Sequence, residues 1–241
     1  MKDFIHGKWE DHLCKYPDNF FGLGIVDVPY GIGEDGRKTE SRAGYVRQKN
    51  GSKIYQPAPG YYKAAGYDDQ QPDQAYFDEL FRITKHQIIW GCNYLNFDQK
   101  PQSSGRIVWD KVNHNSDQSD CEIAWTSLFN SVRQIEFMWS GFNQGKSLRE
   151  GRTSQGNKKL NEKKIHPNQK PVLLYHWLVN LKQVEKDWIL LDTHTGSASS
   201  LIAFELNGFD YVAFEKEEIF YLEAKKRMEK RLKEPLFENY N

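Results

Sequence analysis

Cysteine is scarce. Cys14, Cys92 and Cys121 lie far apart with no paired spacing, which excludes a disulfide framework and a zinc site and leaves three reduced thiols as the expectation. Long apolar runs are missing too: no stretch approaches the roughly 20 apolar residues of a membrane span. Residues 1–6 lead into polar sequence instead of the apolar core of a signal peptide, so the cytoplasm is the expected compartment. Nor is there an excess of either charge. The 33 Lys and Arg residues balance 33 Asp and Glu, and a net charge of zero creates no overall field to attract a polyanion. What the chain does have is core material: 241 residues, 38% hydrophobic and 14% aromatic, are enough for one sizeable α/β domain with insertions over residues 1–241.

The charge is unevenly placed. Between residues 146 and 170 the chain carries Lys146, Arg149, Arg152, Lys158, Lys159, Lys163, Lys164 and Lys170 against only Glu150 and Glu162. A second basic cluster comprises Arg37, Lys38, Arg42, Arg47, Lys49 and Lys53, while Asp68, Asp69, Asp73, Asp78 and Glu79 compensate elsewhere. Such clusters fit phosphate contacts, and fit solvated loops equally well.

Residues 21–27 form a short apolar run ending in an acid and a Pro-Tyr-Gly turn, the pattern of a buried parallel strand. Residues 31–66 are rich in Gly, Lys, Gln and Pro and read as a long loop or insertion. A helix is expected over 73–82 and strands over 86–90, 106–109, 123–128 and 134–139. Residues 141–164 hold hardly an apolar side chain and are expected to move in the absence of a ligand. Pro171 opens a helix whose apolar face is Val172, Leu173, Leu174, Trp177, Leu178 and Leu181. The last third reads as strand 188–191, loop 192–196, helix 197–207 stopped by Gly208, strand 211–214 and helix 219–232, a βαβα unit.

Two turns carry chemistry. Asp192-Thr193-His194-Thr195-Gly196-Ser197-Ala198-Ser199 leaves a strand and opens a helix, so small residues admit a ligand to unsatisfied main-chain N–H groups. Glu215 ends the next strand, where a carboxylate accepts from two ribose hydroxyls. Together Asp192 and Glu215 outline a nucleoside pocket; a tight turn with no ligand is the plain alternative. The single Gly does not match the three-glycine dinucleotide fingerprint, which disfavours NAD. The other turn is Asp27-Val28-Pro29-Tyr30. Methyl transfer to an aromatic amine is hard because the nitrogen lone pair is delocalised into the ring. A carboxylate and a main-chain carbonyl accepting the two N–H bonds draw that amine towards tetrahedral geometry, and a tyrosine stacks on a base flipped out of a duplex.

Asp27-Val28-Pro29-Tyr30 resembles the Asp-Pro-Pro-Tyr catalytic motif of DNA amino-methyltransferases, and the turn at Asp192 resembles their Asp-Pro-Phe-x-Gly-Ser-Gly-Ser cofactor motif. His166-Pro167-Asn168-Gln169-Lys170-Pro171 is similar to a third signature, His-Pro-Thr-Gln-Lys-Pro. The order, catalytic motif first and cofactor motif last, resembles the β-class, a circular permutation of the methyltransferase fold. The resemblance spans nearly the whole chain, including His6-Gly7-Lys8 and Pro17-Asp18-Asn19; Ile107-Val108-Trp109-Asp110 with Ala124-Trp125-Thr126 resembles phage-type members.

The resemblance implies an α/β, Rossmann-like, mostly parallel sheet with helices on both faces. It implies that Asp27 and the Val28 carbonyl bind the target amine, with Pro29 and Tyr30 completing the motif and Tyr30 stacking on the base. S-adenosylmethionine would be held by Asp192, Thr193, His194, Gly196, Ser197 and Glu215, with Asn168 and Lys170 near its methionine end. Lys146, Arg149, Arg152, Lys158, Lys159, Lys163 and Lys164 would contact double-stranded DNA from an insertion over 141–165, and 31–66 is a second candidate insertion. Homodimers are common in the β-class. Three positions depart from the family: Val28 replaces the first Pro, His194 the Phe, and Ala198 the second Gly.

Methylation at a ring carbon requires a cysteine after proline, but Cys14 follows Leu, Cys92 follows Gly and Cys121 follows Asp. Transfer to an amine is therefore expected. Adenine N6 is preferred to cytosine N4 because the family's cytosine-N4 members usually carry Ser where this chain has Asp27. The departures leave a catalytically silent DNA-binding protein as the rival from another class, and a methyltransferase acting on RNA or a small molecule as a third.

Overall fold

The computed structural model describes residues 1–33, 44–47, 51–56, 68, 70–113, 119–140 and 143–233. Its first strand, β1 (Lys2–His6), lies in a segment to which the sequence assigns no element. Only Phe4 and Ile5 are apolar there, too few to show a period, and the strand exists because it pairs with another from the far end of the chain. Two short 3₁₀ turns at Trp9–Asp11 and Leu13–Lys15 lead to β2 (Phe21–Val26), every residue of which is buried. That is the environment its unbroken apolar run demands.

β3 (Gly44–Arg47) and β4 (Lys53–Gln56) form a separate antiparallel hairpin within the stretch read as a loop. Of the basic cluster there, Arg37, Lys38, Arg42 and Lys49 lie outside the described residues, as does Asp69. Helix α1 (Gln74–Ile83) starts where the Asp73 side chain accepts from the Tyr76 N–H at 3.1 Å. It passes without a loop into β5 (Thr84–Trp90), the Thr84 hydroxyl donating to the Leu80 carbonyl. Next come β6 (Arg106–Asp110), β7 (Cys121–Thr126) and β8 (Val132–Glu136), followed by a small hairpin of β9 (Trp139–Ser140) and β10 (Asn143–Gln144). The single strand expected over 134–139 is thus divided, its last residue belonging to the hairpin.

The C-terminal part follows the expected pattern: α2 (Val172–Val179), β11 (Ile189–Asp192), α3 (Ser199–Leu206), β12 (Asp210–Glu215) and α4 (Glu218–Arg231). Eight strands join in the order β1-β12-β11-β2-β5-β7-β6-β8. Only β7 runs against both neighbours, so the sheet is mostly parallel. Successive residues of a strand point to opposite faces, which builds two cores. Leu23, Ile25, Ile88, Trp90, Leu190 and Ala213 pack with α2, α3 and α4. Val26, Ile89, Leu191, Val212 and Phe214 pack on the other side with Tyr76, Phe77, Leu80 and Ile83 of α1.

The segment 143–164 is anchored by polar groups where apolar ones are lacking. The Gln144 side chain donates to the Glu162 carbonyl at 2.8 Å and accepts from its N–H at 2.7 Å. The Glu162 carboxylate is buried against Arg227 of α4 at 2.6 Å and also accepts from Val172 N–H at 3.0 Å. The sequence reading weighed apolar content alone and missed this ion pair.

Candidate active site

From β2 the chain proceeds outward through β5 on one side, and from β11 through β12 on the other, so the order reverses between β2 and β11. Open α/β sheets bind ligands beyond the strand C-termini at such a reversal. Asp27 directly follows β2, Asp192 ends β11 and Glu215 ends β12. Asp27 and Glu215 line one cavity of about 630 Å³, together with Val28, Pro29, Tyr30, His166, Asn168, Lys170 and the turn from Thr193 to Ser197; Asp192 itself is buried and does not line it.

On the β11 side, Asp192 accepts from the His194 N–H at 3.0 Å and from the Ser200 hydroxyl. Burial pushes its carboxyl up to about 7, against the lowering effect of those two donors. Glu215 accepts from Gly196 N–H at 2.7 Å and Glu217 N–H at 2.9 Å, one to each oxygen. A second lone pair on each oxygen is left for a ligand. The Thr193 hydroxyl meets Tyr76 of α1 at 2.6 Å, fixing the turn to the helix on the opposite layer. Burial pushes His194 down to about 3, so it is a neutral ring at working pH; it stands edge-on to Tyr76 with centroids 5.6 Å apart. The imidazole thus fills the aromatic position of the family motif as an aromatic. Ala198, the position of the second family glycine, has φ of 60° and ψ of 28°, the left-handed conformation that favours glycine.

On the β2 side, the Tyr30 hydroxyl donates to Asp27 Oδ1 at 2.5 Å and Lys170 Nζ contacts Asp27 Oδ2. Lys170 also reaches Glu122 of β7 at 3.1 Å, and Lys111, after β6, reaches the other Glu122 oxygen at 3.3 Å. Four charged side chains alternate in sign across the cavity wall. Burial disfavours charge on Lys170, but Asp27 and Glu122 outweigh it and hold the lysine protonated. Burial likewise raises the Asp27 carboxyl more than Lys170 lowers it, and Glu122 adds to the rise. For Glu122 the two lysines prevail over burial and keep it ionised.

Asp68 shapes the turn by accepting from the Tyr30 and Gly31 N–H groups at 2.6 and 3.0 Å. The Tyr30 ring lies against Gly91, where a Cβ would come within 2.1 Å of it and φ is 68°, so glycine is required twice over. Tyr94, exposed beside it, stacks on Tyr30 with centroids 5.4 Å apart.

The motif residues therefore meet, with one difference. Lys170 is committed to Asp27 and Glu122 on the β2 side; its carbonyl, accepting from Ser199 at 2.6 Å, is what touches the turn after β11. Burial pushes His166 down to about 3, and its ring packs on Phe220 at 4.4 Å. The basic residues scatter. Lys146 pairs with Glu150 and Arg152 with Glu136, both on the surface; Arg149, Lys158, Lys159 and Lys163 are exposed; and Lys164 turns into the cavity, where burial lowers its pKa. Sequence reasoning missed Glu122, Lys111, Tyr94 and Asp68. Glu122 and Lys111 flank the two short motifs of β6 and β7, the one signal that pointed to them.

No protein-family model matches the sequence, and no curated protein is similar to it at the sequence level. Solved structures do match. The M1.HpyAVI–SAM complex aligns with 94% of this chain and 100% of its own at a TM-score of 0.52 and 15% identity. The PvuII DNA methyltransferase, which is cytosine-N4-specific, aligns with 95% of this chain and 89% of its own at a TM-score of 0.51 and 13% identity. At these identities the likeness concerns the fold. No helix among the described residues is long and apolar enough to cross a membrane. The chain has the α/β fold of the S-adenosylmethionine-dependent methyltransferases, with the Asp27 turn preceding the Asp192 turn along the sequence.

Proposed function

We propose that this protein is a DNA methyltransferase that transfers a methyl group from S-adenosylmethionine to the exocyclic amine of a flipped base, with adenine N6 the preferred target. The observation that carries the reading is the convergence of three separated motifs, through Asp27, Lys170 and the turn from Thr193 to Ser197, on one cavity at the switch point of the sheet. The β11 side fits the donor. Thr195 lines the cavity and its buried hydroxyl has no hydrogen-bond partner among the described residues, while Asp192 and Glu215 present carboxylates at successive strand ends. Asp192, Thr193, His194, Gly196, Ser197, Glu215 and Asn168 would hold S-adenosylmethionine, which when bound supplies an electrophilic methyl group on a sulfonium.

On the β2 side, Asp27 and the Val28 carbonyl accept the two N–H bonds of the amine. Tyr30, extended by Tyr94, offers the aromatic surface for the base. The exposed Arg149, Lys158, Lys159 and Lys163 supply phosphate contacts, with Lys146 and Arg152 available once their acidic partners are exchanged. Sequencing the DNA of cells that express the protein, with detection of modified bases, tests the proposal. N6-methyladenine in a fixed sequence context is expected. N4-methylcytosine would reassign the target, and unmodified DNA with retained cofactor binding would favour the silent DNA-binding protein.

A further inference from the structure

Both oxygens of Asp27 hold a donor before any substrate arrives. Tyr30 occupies one oxygen and the charged Lys170 the other. The lysine competes with a neutral amine for the Asp27 charge, yet a buried ammonium stripped of its partner is strongly unfavourable. Lys170 is only 4% exposed, so solvent gives it little in exchange.

The geometry points to Glu122 as a positioning residue for the transfer reaction: it is a second seat for Lys170, which lets Asp27 exchange the lysine for the amine. This inference rests on the proposed methyltransferase reading. Glu122 Oε2 already lies 3.1 Å from Lys170 Nζ, so the lysine moves by a small rotation and stays charged throughout. Lys111 holds the other Glu122 oxygen at 3.3 Å and keeps the seat in place. The Trp90 ring, 5.4 Å from Nζ, faces the cation as well. Glu122 belongs to none of the three motifs; it reaches the site because β7, the antiparallel strand, lies beside β5.

The groups that face this exchange come from every packed element. Around Asp27 are Tyr30 of its own turn, Lys170, Glu122, Tyr175 of α2 and Asp192 of β11. Around Glu122 are Lys170, Lys111, Lys164, Tyr30 and Tyr175. Removing the Glu122 charge takes an anion from the surroundings of Asp27 and gives Asp27 sole possession of Lys170. Both changes favour the ionised form of Asp27, so its titration moves to lower pH while its release of the lysine becomes harder.

The test is Glu122→Gln in the full chain, read in three ways. Carbon-13 NMR of labelled aspartate follows the Asp27 carboxyl; calorimetry with S-adenosylmethionine reports cofactor affinity; labelled methyl transfer to DNA gives kcat and KM. The inference predicts an Asp27 midpoint at lower pH, unchanged cofactor affinity, and a kcat reduced on the order of tenfold with KM little altered. Glu122→Asp should restore part of the rate, and in a Lys170→Met background Glu122→Gln should cost nothing further. An unmoved Asp27 midpoint, or equal costs in both backgrounds, overturns the inference and leaves Glu122 a structural counter-ion. Should Glu122→Gln fail to fold, Glu122→Asp carries the same titration, with a smaller shift of the same sign. Should the natural protein transfer no methyl to DNA, the methyltransferase reading fails, and the Asp27 titration still decides whether Glu122 draws Lys170 away.

Discussion

Each of the three departures from the family motifs has a local physical account. Val28 keeps the main-chain carbonyl that the motif uses, and its side chain is buried in the core on the α1 face. Because Pro29 follows, its backbone is confined to the extended region. His194 is an uncharged ring in an aromatic position. Ala198 is the one that carries strain: at φ of 60° a Cβ crowds the following carbonyl, at a cost of about 1–2 kcal/mol, of which glycine's extra chain entropy cancels part. Ala198→Gly is therefore expected to stabilise the protein by about 1 kcal/mol and raise its melting temperature by a few degrees. Thermal unfolding of the two proteins checks this, and an unchanged or lower midpoint would mean that the turn tolerates alanine without strain.

At the scale of elements, the buried pair of Arg227 and Glu162 joins three parts of the chain. Arg227 on α4 donates to the Ser197 carbonyl at 2.5 Å and the Ser199 hydroxyl at 3.0 Å, and so grips the turn after β11. Glu162 holds both the start of α2 and, through Gln144, the β9-β10 hairpin. Arg227→Leu strands a buried carboxylate and should destabilise the fold by about 3–5 kcal/mol. Adding Glu162→Gln removes the stranded charge while keeping an acceptor for Val172, so denaturant unfolding of the double variant should show partial recovery. No recovery would place the loss in the contacts of Arg227 with the turn. None of this was legible in the sequence, where both residues lie in charge-rich stretches without a motif. The C-terminal elements were legible because apolar runs, turn residues and Gly208 agree there. β1 and the hairpin of β3 and β4 were not, because each depends on a partner and not on its own periodicity.

On the scale of the molecule, permutation of the chain leaves the site intact. Asp27 and Asp192 are far apart in sequence, yet they stand at the C-terminal ends of neighbouring parallel strands, since β2 and β11 pair directly. The motifs were readable because each is a short run of distinctive residue types at a strand end or helix start. The Glu122 and Lys111 contribution was not, because a charged residue on the antiparallel β7 and another just after β6 reveal no direction until the sheet order places them. The central claim is that these strand ends form one methyl-transfer site. The most direct measurement incubates the protein with DNA and S-adenosylmethionine labelled on its methyl group, followed by nucleoside analysis, alongside Asp27→Ala. The account predicts label in N6-methyladenine with the natural protein and none above background with the variant, while both bind the cofactor. Cofactor binding with no label in DNA from the natural protein, or equal labelling by Asp27→Ala, would contradict it.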